Sequence, residues 1–100
     1  MNKTITNDEF AKLWQAVALV DVREDDEFVA GHIPGAQNIP LSQLESRFKE
    51  LDKDTHYYVI CHSGRRSGLA CDFLSQKGYH VTNVLGGMVE WRGEITDGHM

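Results

Sequence analysis

Short β-rich apolar runs alternate with stretches of helical spacing along this chain, and that alternation limits its fold more than any other feature. Ala18-Leu19-Val20-Asp21-Val22 is apolar and β-branched at its end, the pattern of a buried parallel strand. His56-Tyr57-Tyr58-Val59-Ile60 and His80-Val81-Thr82-Asn83-Val84-Leu85 are two more strands, and Asn38-Ile39-Pro40 is a very short one. Between them, Leu41, Leu44, Phe48 and Leu51 recur at helical intervals, with Glu45, Arg47, Lys49 and Glu50 toward solvent. Residues 25–30 suit one or two helical turns closed by Gly31, and residues 67–77 form a longer helical pattern ended by Gly78. Such alternation predicts a parallel sheet with helices on both faces. With right-handed crossovers it becomes a doubly wound α/β domain.

At the N-terminal end, Thr6 and Glu9 have the spacing of a capping box, and Ile5 and Phe10 that of a hydrophobic staple. Phe10, Leu13, Trp14 and Val17 continue as a helix that buries Trp14. At the other end, Gly86-Gly87 turns the chain, and residues 88–92 make a last helical turn with Trp91 on the core. A chain of 100 residues with 41% hydrophobic content suits a single domain, 1–100. Its core is expected over about residues 4–92. Residues 93–100 are expected to be a loose tail, whose Gly98-His99-Met100 ending resembles a cloning scar.

Charge and composition exclude several functions. A net charge of −5 argues against non-specific nucleic-acid binding. No apolar run reaches the roughly 20 residues of a membrane span, so no membrane is expected as partner. The N-terminal residues have no signal-peptide core, which makes the cytoplasm the expected location. Two cysteines, Cys61 and Cys71, are too few for a disulfide framework and are read as free thiols. No Cys-x-x-Cys or histidine-rich spacing suggests zinc, so neither metal nor cofactor is expected.

The chemistry concentrates between the strand ending at Ile60 and the helix that follows. Cys61 stands at the strand's carboxyl end, where open α/β sheets bind ligands. Backbone amides of a curled loop and of a helix N-terminus favour negative charge there, which turns a thiol into a thiolate nucleophile. Gly64 lets the loop curl, and Ser63 and Ser67 supply hydroxyl donors. His62, Arg65 and Arg66 make the loop basic in an acidic protein, which points to a small anionic ligand. Cys71, ten residues later among Ala70, Phe73 and Leu74, reads as a small buried hydrophobe. Asp21 carries charge into a buried strand and needs Arg23 or a loop amide as partner. His32 is a possible general base, but the turn Ile33-Pro34-Gly35 favours a structural histidine bonded locally.

Three segments carry a resemblance. They are Val20-Asp21-Val22-Arg23 running on through Glu27 to Pro40, the loop from Cys61 to Ser67, and Leu85-Gly86-Gly87-Met88-Val89-Glu90-Trp91. Together they resemble a single-domain rhodanese, a thiosulfate sulfurtransferase-like protein. The resemblance implies a five-stranded parallel sheet flanked by helices on both faces. It implies that Cys61 takes a sulfur atom from thiosulfate or a related persulfide donor, and passes it from a persulfide to cyanide or to a thiol. It implies that residues 62–67 bind the donor, with Arg66 as clamp and Arg65 as the more exposed guanidinium, while Asp21, Arg23 and His32 are read from the chain itself as structural support. Two other readings stand beside it. One is a partner-docking or non-catalytic sulfur carrier. The other is a cysteine-dependent phosphatase or arsenate reductase, disfavoured because four residues, not five, separate Cys61 from Arg66.

Overall fold

The computed structural model describes residues 2–98, and within them five strands form one sheet. They are β1 (Lys3–Ile5), β2 (Ala18–Asp21), β3 (Gln37–Asn38), β4 (His56–Ile60) and β5 (His80–Val84). All pairings are parallel, in the order β1-β5-β4-β2-β3. The helices are α1 (Asn7–Phe10), α2 (Asp25–Ala30), α3 (Leu41–Arg47) and α4 (Arg65–Gln76), with short 3-10 turns at Trp14–Ala16, Phe48–Glu50 and Met88–Glu90.

Strand side chains alternate between two cores, as the period of two requires. Val20, Val22, Tyr57, Val59, Cys61 and Val81 share one core with Leu44 of α3 and with Ala70, Cys71 and Leu74 of α4. Leu19, Ile60 and Val84 face the other, with Phe10, Ile33 and Trp91. The alternation of apolar runs and helical spacing therefore predicts the α/β class correctly. From β2 the chain steps outward to β3; from β4 it steps the opposite way to β5. The carboxyl ends of β2 and β4 are thus adjacent at a topological switch point, joined by Val22 N–H to the Ile60 carbonyl at 2.9 Å. Such a point opens a crevice for a ligand.

Three details differ from the sequence expectation. β1 lies in a stretch with no strand pattern, because this three-residue edge strand is mostly exposed and shows no burial alternation. The capping box forms as expected, with Thr6 Oγ1 accepting from Glu9 N–H at 3.2 Å, but α1 stops at Phe10. Leu13, at φ −135°, leaves the helical ladder, and Trp14 then packs edge-on against Trp91 at 5.8 Å. Gly31 closes α2 as expected, in extended backbone at φ 167°. The segment from Glu94 to Gly98 is not loose. Thr96 pairs with His32 in an antiparallel bridge, Trp91 Nε1–H donates to the Glu94 carbonyl at 3.0 Å, and Gly98 N–H donates to Val29 at 2.9 Å. These partners are distant in sequence, so no local pattern announces them. His99 and Met100 lie outside the described residues. Among the described residues, no helix is long and apolar enough to cross a membrane.

Candidate active site

Cys61 follows the last residue of β4 and lies at the floor of the loop, 1% exposed. Its side chain shares the face of Tyr57 and Val59, toward α4. Gly64 caps α4 with φ 90°, and its N–H donates to Cys61 Sγ at 3.1 Å. A Cβ at Gly64 would lie 2.1 Å from the Leu85 carbonyl oxygen, so only glycine fits both the left-handed backbone and the close approach. Gly87 does the same from the other side. At φ 61°, its Cβ would lie 2.5 Å from the His62 carbonyl oxygen. The glycines let the turn after β5 run back to back with the cysteine loop. Met88 and Val89 N–H then donate to the Cys61 and His62 carbonyls at 2.8 and 2.9 Å. With those carbonyls turned away, the following amides turn inward to the sulfur.

Burial pushes the Cys61 thiol up. The Ser67 hydroxyl and the backbone N–H groups of Ser67, Ser63 and Gly64 outweigh it, and the thiol ends below its ordinary value. Ser67 Oγ lies 3.3 Å from Sγ and is itself buried. Burial has the opposite result at Cys71, where little opposes it. With the Asp72 and Cys61 charges adding to it, that thiol is pushed up to about 12 and stays protonated. Both cysteines are free, and Cys71 packs in the core under α4.

The two arginines have different surroundings. Arg66 grips Glu27 of α2 in a bidentate pair, Nη1 to Oε1 at 2.7 Å and Nη2 to Oε2 at 2.9 Å. Arg65 is exposed, as are His62 and Ser63. The Arg66 hydrogen bonds hold the Glu27 carboxyl down at about 2, against an ordinary 4.5. The stabilisation is therefore complete above 4.5 and is lost as pH falls toward 2. Both side chains are about one-third exposed, which limits its size. Glu27→Gln is expected to cost about 1 kcal/mol at neutral pH, and the cost should vanish in acid; denaturant titrations of both proteins at the two pH values check this.

Asp21 and Arg23 form the buried support beneath the switch point. Asp21 Oδ1 accepts from the Arg23 backbone N–H at 2.9 Å, and Oδ2 accepts from Arg23 Nη2 at 2.8 Å. Arg23 also donates to the Gly31 carbonyl at 2.7 Å, tying β2 to the end of α2. Asn38 Nδ2 closes the corner by donating to the Asp21 and Arg23 carbonyls at 3.0 and 2.9 Å. His32 is 2% exposed, stacks on Phe28 at 3.7 Å, and donates from Nδ1 to the Phe28 carbonyl at 2.8 Å. It sits with the support, away from the sulfur.

Residues 6–94 match the family model described as Rhodanese-like domain. The chain belongs to the rhodanese family.

It is similar to YqhL of Bacillus subtilis, 44% identical over 94 residues that cover 93% of this chain and 75% of that one. It is also similar to a sulfurtransferase of Allochromatium vinosum, 41% identical over 76 residues, covering 75% and 71% of the two chains. Among solved structures, a rhodanese-like domain protein from Staphylococcus aureus superposes with TM-score 0.90 at 34% identity, covering 97% of this chain and 99% of that one. The five-stranded rhodanese fold implied by the sequence resemblance is thus the fold observed.

Two features of this rhodanese are absent from the sequence reading. Asn83, on β5, is 6% exposed and touches the loop through its side chain, with Nδ2 donating to the Gly64 carbonyl at 3.1 Å. A polar residue inside a central-strand run was the available signal. A cleft of about 640 Å³ also opens between α2, β3 and the Glu94–Thr96 segment, lined by Phe28, His32 and Arg47 among others. It includes no residue of the 61–67 loop and neither cysteine. Among the described residues, no group of three or more His, Cys, Asp or Glu side chains could hold a metal ion.

Proposed function

We propose that this protein is a sulfurtransferase carrying sulfane sulfur on Cys61, with thiosulfate or a related persulfide as donor. The observation that carries the reading is the Cys61 sulfur, buried at the floor of a loop whose amides and Ser67 hydroxyl converge on it. The Cys61 thiolate attacks the outer sulfur of thiosulfate. The bond between the two donor sulfurs breaks, and sulfite leaves with its electron pair. Cys61 then holds a persulfide whose negative outer sulfur lies among the loop amides. Cyanide or a thiolate acceptor attacks that outer sulfur, takes it away, and restores the Cys61 thiolate. A ring closed by four residues between Cys61 and Arg66 suits one sulfur atom better than a tetrahedral phosphate. Arg66 is committed to Glu27, so exposed Arg65 is the guanidinium assigned to the donor's sulfonate. Two free thiols suit a reducing compartment such as the cytoplasm.

Steady-state kinetics with thiosulfate and cyanide test the reading. Parallel double-reciprocal lines are expected, with the donor KM raised about tenfold by Arg65→Ala through loss of one charge-assisted contact. Intersecting lines, or hydrolysis of a phosphate ester without sulfur transfer, would contradict it.

A second reading has one observation behind it. Leu69, Leu85 and Val89 are 55%, 46% and 60% exposed, and all three belong to segments bordering the loop. Such apolar side chains suit docking of a protein that receives or delivers the sulfur. Negligible turnover with small donors, together with tight association with one protein, would favour that carrier role.

A further inference from the structure

Ser67 has one hydroxyl proton and two neighbours positioned to accept it. Its Oγ lies 3.3 Å from Cys61 Sγ and 2.5 Å from Asn83 Oδ1. The Asn83 amide orientation is set independently, because Nδ2 donates to the Gly64 carbonyl at 3.1 Å. The oxygen that faces Ser67 can therefore only accept. When the Ser67 proton points at Asn83, Sγ meets a hydroxyl lone pair. That arrangement suits a neutral sulfur and is unfavourable for a thiolate.

We propose that Asn83 is a positioning residue for the sulfur chemistry: it competes with Cys61 for the Ser67 hydroxyl proton, which turns to Sγ when the thiolate forms and returns to Asn83 Oδ1 when charge leaves Sγ. This rests on the sulfurtransferase reading for its purpose. In a persulfide the negative charge sits on the outer sulfur and the inner one is neutral. Ser67 then loses its reason to face Sγ, and Asn83 gives its proton a buried partner that would otherwise be missing. On forming the thiolate, the Cys61 proton leaves to water; no proton passes to Asn83.

The other charged groups near Cys61 do not duplicate this role. Arg65 and Arg66 stand at the start of α4, Arg66 bound to Glu27 of α2. His62 is exposed in the loop, and Cys71 lies on the inner face of α4. Across the switch point, Asp21 is paired with Arg23. The carboxyl end of β5, where Asn83 stands, carries no titratable side chain.

The test is the pH dependence of Cys61 alkylation by iodoacetamide, in four proteins: wild type, Asn83→Leu, Ser67→Ala and the double variant. Removing the competing acceptor is expected to speed alkylation of Asn83→Leu at neutral pH about fivefold, the difference between a neutral and a charge-assisted hydrogen bond. Ser67→Ala should slow it, and adding Asn83→Leu to Ser67→Ala should change nothing further. Unchanged or slower alkylation of Asn83→Leu would overturn the proposal. So would an equal gain in both backgrounds, since that would act through the Gly64 carbonyl. If Asn83→Leu does not fold, the wild type still decides. The side-chain carbonyl ¹³C resonance of Asn83 should move with the Cys61 titration, and a resonance fixed throughout would refute the switch. None of these readouts uses a sulfur donor, so failure of sulfur uptake and failure of this proposal are separately visible.

Discussion

Cys61→Ser is expected to leave a folded protein whose sulfur transfer falls to background, a loss of about 10⁴-fold or more. Serine keeps the shape of the side chain and can still accept from the Gly64 N–H. It cannot hold a sulfane sulfur, because a hydroxyl in this loop is a far weaker nucleophile than a thiolate. No second thiol can replace it. Cys71 is buried, and its thiol is pushed up to about 12, so it neither reaches the loop nor ionises. Cyanolysis of thiosulfate by the two proteins, with circular dichroism to confirm the fold, checks this. Residual activity within tenfold of wild type would mean that another group carries the sulfur.

Asp21→Ala should be the most damaging change to stability, costing about 3–5 kcal/mol. Asp21 is 0% exposed and Arg23 is 7% exposed, so removing the carboxylate leaves a guanidinium buried with the Gly31 carbonyl as its remaining partner. A domain of this size has a margin of about 5–15 kcal/mol, so the variant should be mostly folded in buffer yet unfold early in urea. Breaking a buried pair is expensive chiefly because of the charge left behind. Asp21→Val combined with Arg23→Met should therefore recover most of the loss. A cost below about 1 kcal/mol for Asp21→Ala would show that Arg23 reaches water, as exposed ion pairs do.

Much of the candidate site could be read in the sequence because its residues are close together in the chain. Cys61, Gly64, Arg66 and Ser67 lie within seven consecutive positions, and a strand end followed by a helix start places their amides without further information. Asp21 announced itself as a charge in an apolar run, and its partner Arg23 stood two residues away. Asn83 was hidden because its role depends on β5 lying beside β4, a pairing made across 19 residues from Gly64. The reversal of the tail has the same cause, since Thr96 meets His32 only after the whole sheet has formed. β1 escaped notice for a different reason. A three-residue edge strand buries too little for its side chains to alternate. The early end of α1 reflects tertiary packing overriding helical spacing. Phe10 and Trp14 both contact Trp91, from a segment 75 or more residues downstream in the chain, and Leu13 breaks the ladder between them.

The claim that Cys61 carries sulfur as a persulfide is tested most directly by intact mass. The protein is incubated with thiosulfate, or with glutathione persulfide, and freed of excess donor. The account predicts a gain of one sulfur atom, located on the peptide containing Cys61, absent in Cys61→Ser and removed by cyanide or a thiol. A protein that gains no sulfur from either donor, while Cys61 still alkylates readily, would contradict it.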